Sequence, residues 1–132
     1  MGLPIGHHAF DVLVIFVDHT DCQWLKLLKS GFRHCFTAIR FDNHWIICDP
    51  LKSRFEIHLI DAPNDFNLAG FYADQGHTVI AGFKSAHTPL NRVTCEPFTC
   101  VAMTKRILGL QSFWLWTPWQ LFLHLVGTPR PD

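Results

Sequence analysis

The alternation of apolar and polar positions divides the chain into short blocks, each with its own period. "FDVLVIFV" (10–17) is an apolar run rich in β-branched residues and reads as a buried strand. "TDCQWLKLLKSG" (20–31) has a capping residue, an apolar stripe at Trp24, Leu25 and Leu28, and a closing glycine, the marks of a short helix. "RHCFTAIRF" (33–41) and "HWIICDP" (44–50) flank the turn signal Asp42-Asn43 and read as a β-hairpin. "SRFEIHLI" (53–60) alternates as a further strand. "NDFNLAGFYADQG" (64–76) reads as a helix closed by Gly76, and "HTVIAGF" (77–83) as another strand.

Two helices end the chain. In "FTCVAMTKRILGL", Thr99 is a plausible N-cap, Gly109 a stop, and Lys105 and Arg106 suit the last turn. In "TPWQLFLHLVG", Thr117 is the expected N-cap, Pro118 the first helical position and Gly127 the end. The order βαβββαβαα predicts one α+β domain over residues 1–132, with a largely antiparallel sheet and the late helix that carries Cys100 packed on it.

The hairpin makes a sharper statement. With a two-residue turn at Asp42-Asn43, Phe41 pairs with His44 and Phe36 faces Asp49. Side chains alternate along strands, so His34, Phe36, Asp49 and Leu51 share one face. His34 and Asp49 become diagonal neighbours, while Cys35 and Cys48 fall on the other face. The expectation is that the Cys100 helix covers the His34 face. A slip of one residue in the turn would rotate Asp49 away.

Composition narrows the classes. The chain has 132 residues, 48% of them hydrophobic and 14% aromatic, enough for one sizeable core. Formal net charge is zero and no Lys/Arg cluster occurs, which argues against a nucleic-acid partner held by phosphate contacts. The N-terminal apolar run is short and carries Asp11 and Asp18, so no signal peptide is expected. "LGLQSFWLWTPWQLFLHLV" contains Gln111, Pro118, Gln120 and His124 and is better read as a loop and a short helix than as a transmembrane segment. Five cysteines, an odd number without a CxxC pair, fit reduced thiols in a cytoplasmic protein. Phe113, Trp114, Trp116, Trp119 and Phe122 form an aromatic C-terminal region that could meet a protein partner.

The candidate chemistry begins with Cys100. A thiol in the first turn of a helix feels the positive end of the dipole, which stabilises the thiolate, the nucleophilic form. His34 on one strand and Asp49 on the next supply a base and a group to orient it. Each has a plainer reading: Cys100 as a small core hydrophobe, His34 as a core histidine, Asp49 as the opener of the Asp-Pro turn. A zinc site drawn from His19, Cys22, His34, Cys35, Cys48, Cys95 and Cys100 is a rival, weakened because Cys35 and Cys48 lie mid-strand. No cofactor or metal is expected.

Together these residues resemble the circularly permuted NlpC-type papain-like cysteine peptidases, especially small phage and bacterial members. In that branch the histidine strand comes first, then the polar residue, then the cysteine helix. "GFRHCFTAIRF", "WIICDP" and "FTCVAMTKRILGL" fall in that order, "QGHTVIAGF" fits the strand before the cysteine, and "TPWQLFLHL" is similar to the helix that follows it. The resemblance covers roughly residues 10 to 126 and implies a papain-like core, Cys100 as nucleophile, His34 as base and Asp49 as orienter. It implies a hydrolase or acyltransferase acting on an amide or ester, with cell-wall peptide among the candidate substrates. The partner would be a peptide or acyl substrate. The oxyanion donor defaults to the Cys100 backbone N–H, with Asp21, Gln23 and Trp24 as side-chain candidates. The alternative is a non-catalytic phage or bacterial structural or assembly protein on the same fold.

Overall fold

A computed structural model describes residues 9–18, 29–51, 54–63, 65–86, 99–110 and 115–129. Most of the helix expected over 20–31 lies outside them. Five strands form one sheet: β1 (Asp11–Val17), β2 (His34–Phe41), β3 (His44–Pro50), β4 (Phe55–Asp61) and β5 (Thr78–Lys84). Their order is β4-β3-β2-β1-β5, and every neighbouring pair is antiparallel. The helices are α1 (Leu68–Asp74), α2 (Thr99–Leu108) and α3 (Pro118–Gly127).

The hairpin turn is the one expected. Phe41 pairs with His44 and Thr37 with Cys48, and Asp42 takes the positive φ of 53° that a tight two-residue turn demands. The chain enters β2 through a turn held by Asp18. Its carboxylate accepts from the Gly31 N–H at 2.6 Å and from Arg33 Nη1 at 3.0 Å. Gly31 has φ 84°, which only glycine adopts freely. That turn fixes where β2 begins, and therefore where His34 stands.

The β1 run is apolar at consecutive positions because both of its faces are covered. Leu13, Ile15 and Val17 pack with Phe36, Ala38, Trp45 and Ile47 beneath Leu68 of α1. Val12, Val14 and Phe16 pack with Cys35 and with Cys100, Val101 and Leu108 of α2, and with Leu121 and Leu125 of α3. The expectation that α2 covers the His34 face is therefore corrected. α2 lies on the Cys35 face, and α1 takes the other. An apolar run cannot say which helix goes to which side.

The helix ends follow their signals with small shifts. α1 is shorter than the expected 64–76. It is capped by Asn67, whose side chain accepts from the Gly70 N–H at 3.0 Å. Gly109 closes α2 at φ 71°, with the Leu110 N–H bonded to the Lys105 carbonyl at 2.8 Å. Lys105 does more than balance a helix dipole. It is buried and donates from Nζ to the Leu115 carbonyl at 3.1 Å. Thr117 and Gln120 form a reciprocal capping box on α3, which runs through Gly127 and ends at Thr128.

The aromatic tail divides. Trp119 and Phe122 stack on one another and pack against Phe32, with Lys29 over the Trp119 ring at 4.9 Å. Trp116 is exposed, and Phe113 and Trp114 lie outside the described residues. Among the described residues no helix is long and apolar enough to cross a membrane.

Leu121 is fully buried between α2, α3 and the sheet. Leu121→Ala should lower the unfolding free energy by roughly 2–5 kcal/mol in urea titrations, whereas the exposed Leu123→Ala should cost well under about 1 kcal/mol. Equal losses would contradict this packing.

Candidate active site

The β2–β3 ladder stops at Thr37–Cys48, although β2 starts at His34 and β3 continues to Pro50. The two strands therefore part over their last residues. His34, Cys35 and Asp49 stand at this opening, at the end of the sheet rather than on one of its faces. α2 approaches from the Cys35 side with Cys100 in its first turn. This is how a histidine on one face meets a cysteine on a helix covering the other.

His34 Nε2 and Asp49 Oδ1 lie 2.6 Å apart, with side chains only 13% and 24% exposed. A pair this short and sheltered keeps the carboxylate on that ring nitrogen and leaves Nδ1 for Cys100, the second group that favours the charged ring. Burial works against a charged His34. The hydrogen bonds to Asp49 and Cys100, and the negative charge on both, outweigh it and raise the imidazole from 6.5 to about 9.

The thiol of Cys100 is pushed the other way. Its strongest support is a hydrogen bond from the Cys35 side chain, opposed by burial and reinforced by the His34 hydrogen bond and charge. The Cys35 backbone N–H adds a further donor, and the result lies well below an ordinary thiol. Cys35 is wholly buried and goes the opposite way. Burial raises it most, and the neighbouring Cys100 raises it further, so it stays a thiol. The Thr104 hydroxyl donates back to the Cys100 carbonyl at 2.9 Å and lies 3.8 Å from Cys35 Sγ. Both directions favour the proton on His34 and the charge on Cys100, an imidazolium beside a thiolate.

The structure brings together all three residues singled out in the sequence: Cys100, His34 and Asp49. It also adds one that strand alternation had set aside. Cys35 does point away from the His34 face, and the face it points to is the one under α2. Tyr72 of α1 stacks edge-on against Phe36 at 5.4 Å and feels the Asp49 charge after its own burial, both raising its hydroxyl. Asp21, Gln23 and Trp24, the candidate oxyanion side chains, lie outside the described residues, as do His19, Cys22 and Cys95 of the zinc alternative. Among the described residues no three of His, Cys, Asp and Glu are grouped as metal ligands. Comparison with protein-family models, curated proteins and solved structures finds no match to the chain.

The ion pair has a pH signature with a definite sign. A raised His34 alone contributes stability that is full below 6.5 and lost as pH climbs through about 9. A lowered Cys100 alone contributes stability that is full above 9.0 and lost as pH falls through its folded value. Between 6.5 and 9.0 the folded pair holds one proton on His34 and the unfolded pair holds one on Cys100, so the two slopes cancel. The difference in unfolding free energy between wild type and Cys100→Ala should therefore shrink as pH falls below that window. Urea titrations of both proteins at a series of pH values measure this. A difference that keeps its value down to the acid-unfolding range would contradict the ion pair.

Proposed function

We propose that this chain is a cysteine hydrolase or acyltransferase of the permuted NlpC-type papain-like kind, acting on an amide or ester carbonyl. The observation that carries the reading is the 2.6 Å Asp49–His34 pair, with His34 raised and Cys100 lowered by one another. The three residues have the order of orienter, proton carrier and nucleophile that acyl transfer needs.

Because the proton rests on His34, acylation starts from a ready thiolate. Cys100 Sγ attacks the carbonyl carbon and the carbonyl electrons move to oxygen. His34 then gives its proton to the leaving amine or alcohol as the C–N or C–O bond breaks. The neutral imidazole next draws a proton from water, or from an acceptor nucleophile, which displaces the thioester and restores the pair. Asp49 keeps the ring oriented and stabilises its positive form in each half. The Cys100 N–H, in the first turn of α2, is the backbone donor assigned to a developing oxyanion in this reading. The substrate is a peptide or acyl carbonyl, and the odd set of cysteines without a CxxC pair fits a cytoplasmic setting.

Substitutions separate the roles. Cys100→Ala should abolish covalent capture of a carbonyl-directed electrophile, read by intact mass. His34→Ala should slow it by about 10³-fold or more, since members of one catalytic unit are strongly non-additive. Asp49→Asn should be milder, about 10- to 10²-fold, because it keeps a hydrogen bond but loses charge stabilisation. Circular dichroism should show all three folded, with stability losses within about 1–3 kcal/mol. Capture by His34→Ala at the wild-type rate, at the same cysteine, would overturn the catalytic reading and favour a structural or assembly role.

A further inference from the structure

We propose that Cys35 is a resolving thiol for Cys100, so that a hydroperoxide converts the pair into a reversible Cys35–Cys100 disulfide. The inference rests on the Cys100 thiolate of the proposed function but requires no substrate.

The first observation is contact. Cys35 is held at the start of β2 against α2, in the same packed cluster as Cys100, and the Thr104 hydroxyl touches both residues, 3.8 Å from Cys35 Sγ and 2.9 Å from the Cys100 carbonyl. Two thiols packed in one cluster need only a local approach to reach the S–S length of about 2.05 Å. The second observation is that acyl transfer asks the Cys35 thiol only to donate to the Cys100 thiolate, and makes and breaks no bond at the Cys35 sulfur. The third is the contrast between the two thiols. Cys100 is held as the thiolate, the form hydroperoxides attack, whereas Cys35 stays protonated and wholly buried. Cys48, on the same sheet face, has Thr37 as its partner instead.

The chemistry balances with the peroxide as sole oxidant. The Cys100 thiolate attacks the peroxide oxygen and the O–O bond breaks. The leaving alkoxide or hydroxide takes the His34 proton, and Cys100 becomes a sulfenic acid. Sulfur has lost two electrons and the peroxide has gained them. Cys35 sulfur then attacks the Cys100 sulfur, the S–O bond breaks, and the departing hydroxide leaves as water with the Cys35 proton. Loss of the anion at Cys100 removes one of the influences that hold Cys35 protonated, so the second step is favoured by the first. The product has no nucleophile and ties α2 to β2. A thiol reductant restores both groups, and the trap spares Cys100 from irreversible oxidation.

The test uses the full chain, reduced and then treated with hydrogen peroxide, alkylated with iodoacetamide and mapped by trypsin without reduction. Peptide 34–40 should be joined to peptide 93–105 through Cys100, with Cys95 of the same peptide alkylated. A reductant should return the iodoacetamide reactivity of Cys100. In Cys35→Ser no such link should form, Cys100 should gain two or three oxygens, and recovery of its reactivity should fall about tenfold. The inference is overturned if wild-type Cys100 pairs with Cys95 or Cys22, or if it is irreversibly oxidised as fast as in Cys35→Ser. The map of the wild type decides this even if the variant folds poorly. Rapid alkylation of reduced Cys100 without a Cys35 link overturns this inference alone, whereas slow alkylation of reduced Cys100 counts against the proposed function as well.

Discussion

Burial of β1 on both faces is the constraint on which the rest of the arrangement depends. Val12, Val14 and Phe16 need one apolar layer, and Leu13, Ile15 and Val17 need another. α1 fills the second place and α2 with α3 the first. A histidine and a cysteine carried on opposite sides of such a sheet can meet only where the sheet ends. The β2–β3 ladder ends two residues before β3 does, and the site occupies that opening. The Asp18 turn and the Gly31 conformation hold the other side of it by fixing the start of β2.

Electrostatics follows from the same placement. His34 loses water on entering the opening, which alone would favour the neutral ring. It gains a carboxylate at 2.6 Å and a thiolate, and the two together prevail. Cys100 in turn gains donors from Cys35 and His34 that offset its own burial. Each charge is supported by the other and by a further partner, Asp49 for His34 and Cys35 for Cys100.

Much of this was legible in the chain. The Asp42-Asn43 turn set the register, and the register put His34 and Asp49 on one face, as their 2.6 Å contact requires. The Thr117 and Gln120 box and the Gly109 stop were equally local. What alternation could not supply was the side on which α2 packs, because β1 is apolar at successive positions and offers two equivalent faces. Cys35 was set aside for that reason, although its place beside His34 at the start of a strand was visible. Trp119 and Phe122 of the aromatic tail pack on Phe32, a contact between distant parts of the chain that periodicity does not carry.

The central claim is that Cys100 is a thiolate paired with the His34 imidazolium at neutral pH. Thiolate absorbance in the far ultraviolet, titrated for wild type minus Cys100→Ala, tests it most directly. The account predicts that the difference absorbance is fully present at neutral pH and disappears only on acidification, and that His34→Ala moves its midpoint up toward the ordinary thiol range. A difference absorbance absent at neutral pH, rising only near 9.0, would contradict it.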